Sequence, residues 1–126
     1  MIRLGIIIVN YRTPELTIAC LKSLQTANPT TSHWRAVVVD NASSDESIAH
    51  IQDAIDSEGW NDWCTLVTAD SNGGFAAGNA VGLHALERTC DPDYVLLLNP
   101  DTIVRSPSIE ACIKFLDHHP EAAITG

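Results

Sequence analysis

Apolar residues gather in four continuous runs along the chain: LGIIIVN from Leu4, RAVVVD from Arg35, CTLVTA from Cys64 and YVLLLN from Tyr94. Continuous rather than alternating apolar character marks strands buried on both faces. The segments between them carry helical signals. Thr13 followed by Pro14 predicts a helix start, with Leu16, Cys20 and Leu24 on one stripe. Ser43 and Glu46 stand in capping-box spacing and predict a second helix that turns Ile48, Ile51 and Ile55 inward. A third helix is expected from about Gly74 to Arg88, with Ala77, Val81 and Leu86 among its apolar positions. Gly78 and Gly82, one turn apart in it, permit close backbone approach. A fourth follows Ser106 and Pro107 and ends by Pro120, and AAIT then reads as the start of a fifth strand, cut at Gly126.

Strand and helix alternate without linkers, repeats or low-complexity tracts. This predicts an α/β class protein, a mostly parallel sheet flanked by helices on both faces. Ligands of such sheets bind beyond the carboxyl ends of the strands. The residues there are polar in every case: Asn10 and Tyr11, Asp40 and Asn41, Asp70 to Gly73, and Asn99 with Asp101. The three tryptophans, Trp34, Trp60 and Trp63, fall near strand starts, away from that edge, and read either as packing residues or as surface left bare by a missing portion.

Composition narrows the field. With 126 residues, 45% of them hydrophobic, the chain is one domain with a core of its own. A formal charge of -9, with seven scattered basic residues, excludes a nucleic-acid surface, and any anionic ligand needs a neutralising partner. Cys20, Cys64, Cys90 and Cys112 lie in separate segments with no CxxC pair, so they read as reduced thiols of a cytoplasmic protein. The N-terminal apolar run is too short for a membrane span and lacks a cleavage site.

Three segments carry candidate chemistry. In VVVDNASSD, Ser43 is expected to cap the helix, which leaves Asp40 free to accept hydrogen bonds from a base imide or ribose hydroxyls, unless Asp40 and Asn41 simply turn the chain. SNGGFAAGNAVG is glycine-dense at a loop-to-helix junction, where free amides and the helix dipole favour anions. It is not GxGxxG, and it follows the third strand rather than the first. In LLLNPDT, Asp101 is either a turn acid or a ligand for Mg²⁺ or Mn²⁺. Such a cation takes one or two protein carboxylates and completes its shell with phosphate oxygens, which lets an acidic protein hold a diphosphate. His118 and His119 are adjacent on a helix, point apart, and meet the dipole at its C-terminus rather than a metal.

Taken in order, VNYRTPELTIACLKSL, VVVDNASSD, NGGFAAGN and LLLNPDT resemble the N-terminal half of inverting family 2 glycosyltransferases of GT-A fold, in particular their rhamnosyltransferase-like branch. The resemblance implies a Rossmann-like nucleotide-binding half spanning residues 1–126, truncated before the acceptor-binding half. It implies that Val9 and Tyr11 flank the base and that Asp40 hydrogen-bonds it, with Asn72, Gly73 and Asn79 shaping the diphosphate side. Asn99 and Asp101 stand for the DxD-type metal motif; with an amide in the first position, Asp101 alone carries over as metal ligand, and Asn99 carries over as a donor-binding residue at the ribose. The implied donor is a nucleotide-diphosphate sugar, dTDP-rhamnose or a UDP-sugar, and the implied acceptor a saccharide or a lipid-linked one in bacterial surface polysaccharide synthesis at the inner face of the membrane. No catalytic base is assigned: Glu110, Asp117 and Glu121 read as solvated charges. The isolated chain is expected to self-associate and not to transfer sugar. The competing readings are a nucleotidyltransferase and a non-catalytic nucleotide-sugar-binding module.

Overall fold

The computed structural model describes residues 2–29 and 32–126. Four strands, β1 (Ile2–Asn10), β2 (Ser32–Asp40), β3 (Cys64–Thr68) and β4 (Tyr94–Leu98), form one parallel sheet in the order β3-β2-β1-β4. The register is level at the carboxyl edge, where Asn10 lies opposite Asp40 and Asp40 opposite Thr68. Strand order reverses on passing from β1 to β4, and such a switch point opens a crevice above the sheet.

Both faces of the two central strands, β1 and β2, are covered, as their continuous apolar runs require. Leu4, Ile6 and Ile8 of β1 pack with α1 (Pro14–Ala27), α2 (Ser47–Ser57) and α4 (Ser108–His118) through Cys20, Leu21, Leu24, Ile51, Ile55, Ile109 and Ile113. Ile7 and Val9 point the other way, with Val37 and Val39, against Ala85 and Leu86 of α3 (Phe75–Thr89). The helix approaches closely because Gly78 and Gly82 lack side chains. A Cβ on Gly82 would stand 2.5 Å from Ile7 Cγ2, and one on Gly78 would stand 2.8 Å from Val9 Cγ1. The tryptophans pack on one another, with Trp34 and Trp63 centroids 4.6 Å apart and Trp60 fully buried.

Three expectations are corrected. The inward stripe of α1 runs through Thr17, Cys20, Leu21 and Leu24, while Leu16 is exposed. α2 begins at Ser47 rather than beside Ser43, with Asp45 Oδ1 accepting from the Ser47 amide at 2.8 Å. That shift turns Ser47 inward and leaves Ile48 41% exposed. The residues AAIT form no strand: they follow a turn after α4, and Ile124 is 86% exposed. No helix among the described residues is long and apolar enough to cross a membrane.

Candidate nucleotide-binding site

At the carboxyl edge the first layer is a buried polar network. Asp40 is fully buried. Its Oδ1 accepts from Asn10 Nδ2 at 2.9 Å and from Ser43 Oγ at 2.6 Å, and its Oδ2 accepts from the Ser43 amide at 3.0 Å. Asn10 Oδ1 in turn accepts from Thr17 Oγ1 at 2.8 Å, which ties β1, β2 and α1 together. The expectation that Ser43 caps α2 and frees Asp40 is therefore corrected: Ser43 closes a turn back onto Asp40, whose carboxylate is occupied inside the protein.

A second layer joins the loops after β2 and β3. Asn41 Nδ2 donates to Asn72 Oδ1 at 2.9 Å and to the Gly74 carbonyl at 3.1 Å, while the Gly74 amide donates to Asn72 Oδ1 at 2.9 Å. Gly74 sits at φ 91°, a conformation that costs a glycine little, and supplies no side-chain cap to α3. The amides of Phe75, Ala76 and Ala77 precede the first intrahelical bond, which runs from Gly78 to Gly74, and have no partner among the described residues. Asn72 and Gly73 are exposed beside these donors. Asn79 is not: it is buried on α3, its Nδ2 donating to the Phe75 carbonyl at 2.9 Å.

The third layer is the turn after β4. Thr102 donates its amide to the Asn99 carbonyl at 3.1 Å, and the segment then lies along α1, where the Val104 amide meets Ser23 Oγ at 2.9 Å. Asn99 and Asp101 are exposed on it. Burial, and secondarily the charge of Asp101, pushes the Cys20 thiol up to about 12, which sets Asp101 within electrostatic reach of α1. Among the described residues, no group of three His, Cys, Asp or Glu side chains gathers to hold a metal.

Sequence reasoning thus named Tyr11, Asn72, Gly73, Asn99 and Asp101, which the structure exposes at one edge, and Val9, Asp40 and Asn79, which it buries. Val9 packs beneath Gly78. Asn41 was named among the polar strand ends but not as the clamp between the two loops, and Arg12 was missed. The Arg12 backbone lies at φ 56°, and its Nε donates to the Ser43 carbonyl at 3.0 Å. A positive φ at a non-glycine residue leaves no mark in composition or periodicity.

The parallel sheet, the switch point between β1 and β4 and the helices on its faces define an α/β, Rossmann-like fold of the GT-A kind. A family profile, "Glycosyl transferase family 2", matches residues 5–126, and the chain belongs to that family. No curated protein matches. Among solved structures, the chain is similar to S. aureus TarS 1–349, with a TM-score of 0.69 and 21% identity over 94% of this chain and 33% of that one. The same figures hold for TarS 1–349 in complex with UDP. The complex with UDP-GlcNAc matches equally well over 32% of its length. The chain spans about a third of the length of these structures.

Proposed function

We propose that this chain is the donor-binding part of an inverting glycosyltransferase of the rhamnosyltransferase-like branch, which takes a nucleotide-diphosphate sugar, dTDP-rhamnose or a UDP-sugar. The observation that carries the reading is the convergence at one sheet edge of exposed Tyr11, the unpartnered amides opening α3, and exposed Asp101. An aromatic face suits a base, and free amides at a helix N-terminus suit phosphate oxygens. Family membership and the likeness to a fold solved with UDP support it. In the buried network, Asp40 acts by holding together the loops after β1 and β2 that present Tyr11 and Asn41. Its contact with a base, as the resemblance implies, requires those loops to open.

A single exposed carboxylate fits the smallest demand of Mg²⁺ or Mn²⁺, which completes its shell with phosphate oxygens and water, and Asp101 with Asn99 beside it would hold the ion. Once bound, the cation would offset charge on the departing nucleoside diphosphate. The rest is this chain's own work: Tyr11 orients the base, and the α3 amides fix the diphosphate. In transfer, an acceptor hydroxyl of a saccharide or lipid-linked substrate would attack the anomeric carbon as its bond to phosphate breaks. The acceptor's proton goes to a carboxylate that we assign to none of these residues.

A calorimetric titration of nucleoside diphosphate with Mg²⁺ or Mn²⁺, repeated in chelator, on the parent and on Asp101→Asn, tests this directly. The expected result is binding that weakens about tenfold or more without the cation or the carboxylate. Binding unchanged in both would show that the turn after β4 holds no metal, and absence of binding altogether would remove the donor-site reading.

A further inference from the structure

A diphosphate is favoured by positive charge at its site, and topology shows where a side chain of this acidic chain can supply it. Arg3 and Arg35 sit near the amino ends of β1 and β2, and Arg88 at the far end of α3. Lys22 pairs with Glu58 on α1 and α2 at 3.4 Å, Arg105 lies past the segment laid along α1, and Lys114 is on α4. Among the described residues, Arg12 alone brings a Lys or Arg to the first residues beyond a strand's carboxyl end.

Arg12 is also held in place. Its amide donates to Ser43 Oγ at 3.0 Å and its Nε to the Ser43 carbonyl at 3.0 Å, and its guanidinium carbon stands 5.0 Å from the centroid of the Tyr11 ring. The backbone accepts φ 56° to do this. Such strain persists only where its surroundings over-determine it. No carboxylate pairs with Arg12 among the described residues. Asp45 lies near, its carboxyl held down first by hydrogen bonds from Ser47 and to a smaller degree by Arg12's charge. The two terminal nitrogens therefore remain as unpaired donors beside an exposed aromatic ring, on a side chain whose ordering cost is already met by Ser43 and Tyr11.

Resting on the donor-site reading above, we infer that Arg12 is the cationic anchor of that site and binds the diphosphate of the donor, while the Tyr11 ring beneath it takes the base. The guanidinium fork matches paired phosphate oxygens, and its charge needs no metal. The chain thus has two independent sources of positive charge for one ligand: Arg12, always present, and a cation at Asp101.

Ligand-observed NMR and calorimetry on UDP with uridine, and dTDP with thymidine, separate the phosphate from the base. Parent, Arg12→Lys and Arg12→Asn are compared with Mg²⁺ and in chelator, at low and raised salt, after circular dichroism and thermal melts. Asparagine tolerates the positive φ, so Arg12→Asn removes the charge without adding strain. Expected is a loss of about tenfold or more in diphosphate affinity for Arg12→Asn, with nucleoside affinity unchanged, partial retention by Arg12→Lys, and the largest effect in chelator. Diphosphate affinity equal to the parent's would overturn the inference in favour of the α3 amides. An equal loss for nucleoside would overturn it too, since Arg12 would then serve the base or the loop. Should Arg12→Asn not fold, the parent's own salt dependence decides, because insensitivity to screening speaks against a guanidinium–phosphate contact. A parent that binds neither nucleotide fails earlier, at the donor-site reading itself.

Discussion

Asp40 shows how one residue can be legible in a sequence while its role is not. An acid at a strand end serves equally as a ligand acceptor or as a turn closer, and VVVDNASSD does not say which neighbour takes it. The deciding partners are Asn10, thirty residues away, and Ser43, and only the parallel register of β1 and β2 brings Asn10 within 2.9 Å. Asp40→Ala would leave the Ser43 amide and hydroxyl without an acceptor in a fully buried place, and the Asn10 amide with only a long bond of 3.5 Å to Ser43 Oγ. We expect a loss of about 2–4 kcal/mol in urea unfolding. A variant as stable as the parent would show that water or a shifted loop replaces the carboxylate. Arg12 is the opposite case: nothing in VNYRTPE marks it, because its placement depends on a left-handed backbone and on a carbonyl from another loop.

At the scale of elements the reading was most secure where burial is total. All four strands stand where continuous apolar runs put them; for β1 and β2, covered on both faces, no polar positions blur the run, while the half-exposed β3 and β4 are marked by apolar content alone. The start of α2 was misplaced because Ser43 and Glu46 imitate a capping box while tertiary bonds to Asp40 claim Ser43. Gly82 carries the clearest consequence for packing. Gly82→Ala would place its methyl 2.5 Å from Ile7 Cγ2 and 3.2 Å from Val39 Cγ2, and should cost about 1–3 kcal/mol in thermal or urea unfolding. The amino ends of β1 and β4 are tied by Arg3, whose Nη2 meets Asp93 Oδ1 at 2.9 Å and whose amide meets Oδ2 at 2.8 Å. These bonds hold the Asp93 carboxyl down to about 2 from its ordinary 3.8. A depressed carboxyl supports folding above its ordinary value, and that support fades as pH falls from 3.8 toward about 2. A carboxyl-carbon NMR titration should find the Asp93 midpoint near 2 in the parent and back toward 3.8 in Arg3→Gln; equal midpoints would dismiss the pair.

For the whole molecule, the unbalanced feature is β4, an edge strand of the sheet with one side of its backbone free. α3 lies over β1 and β2, with Gly78 on Val9 and Gly82 on Ile7 and Val39, and so leaves β4 uncovered on that face. Val95 and Leu97 are accordingly exposed, Leu97 by 52%. On the opposite face an apolar cavity of about 300 Å³ opens between β4 and α4, lined by Leu96, Leu98, Ile103, Ile109 and Ile113 among others. A free edge with apolar side chains on both faces is a template for further pairing. The 126-residue chain is therefore expected to self-associate through β4, with sedimentation coefficients rising with concentration. Leu97→Lys sets a charge on the bare face without touching the core and should shift the distribution toward monomer while leaving nucleoside diphosphate binding as it was. If the parent sediments as a monomer at every concentration, or if Leu97→Lys associates as strongly, the edge of β4 is not the contact and the cavity beside α4 becomes the surface to alter next.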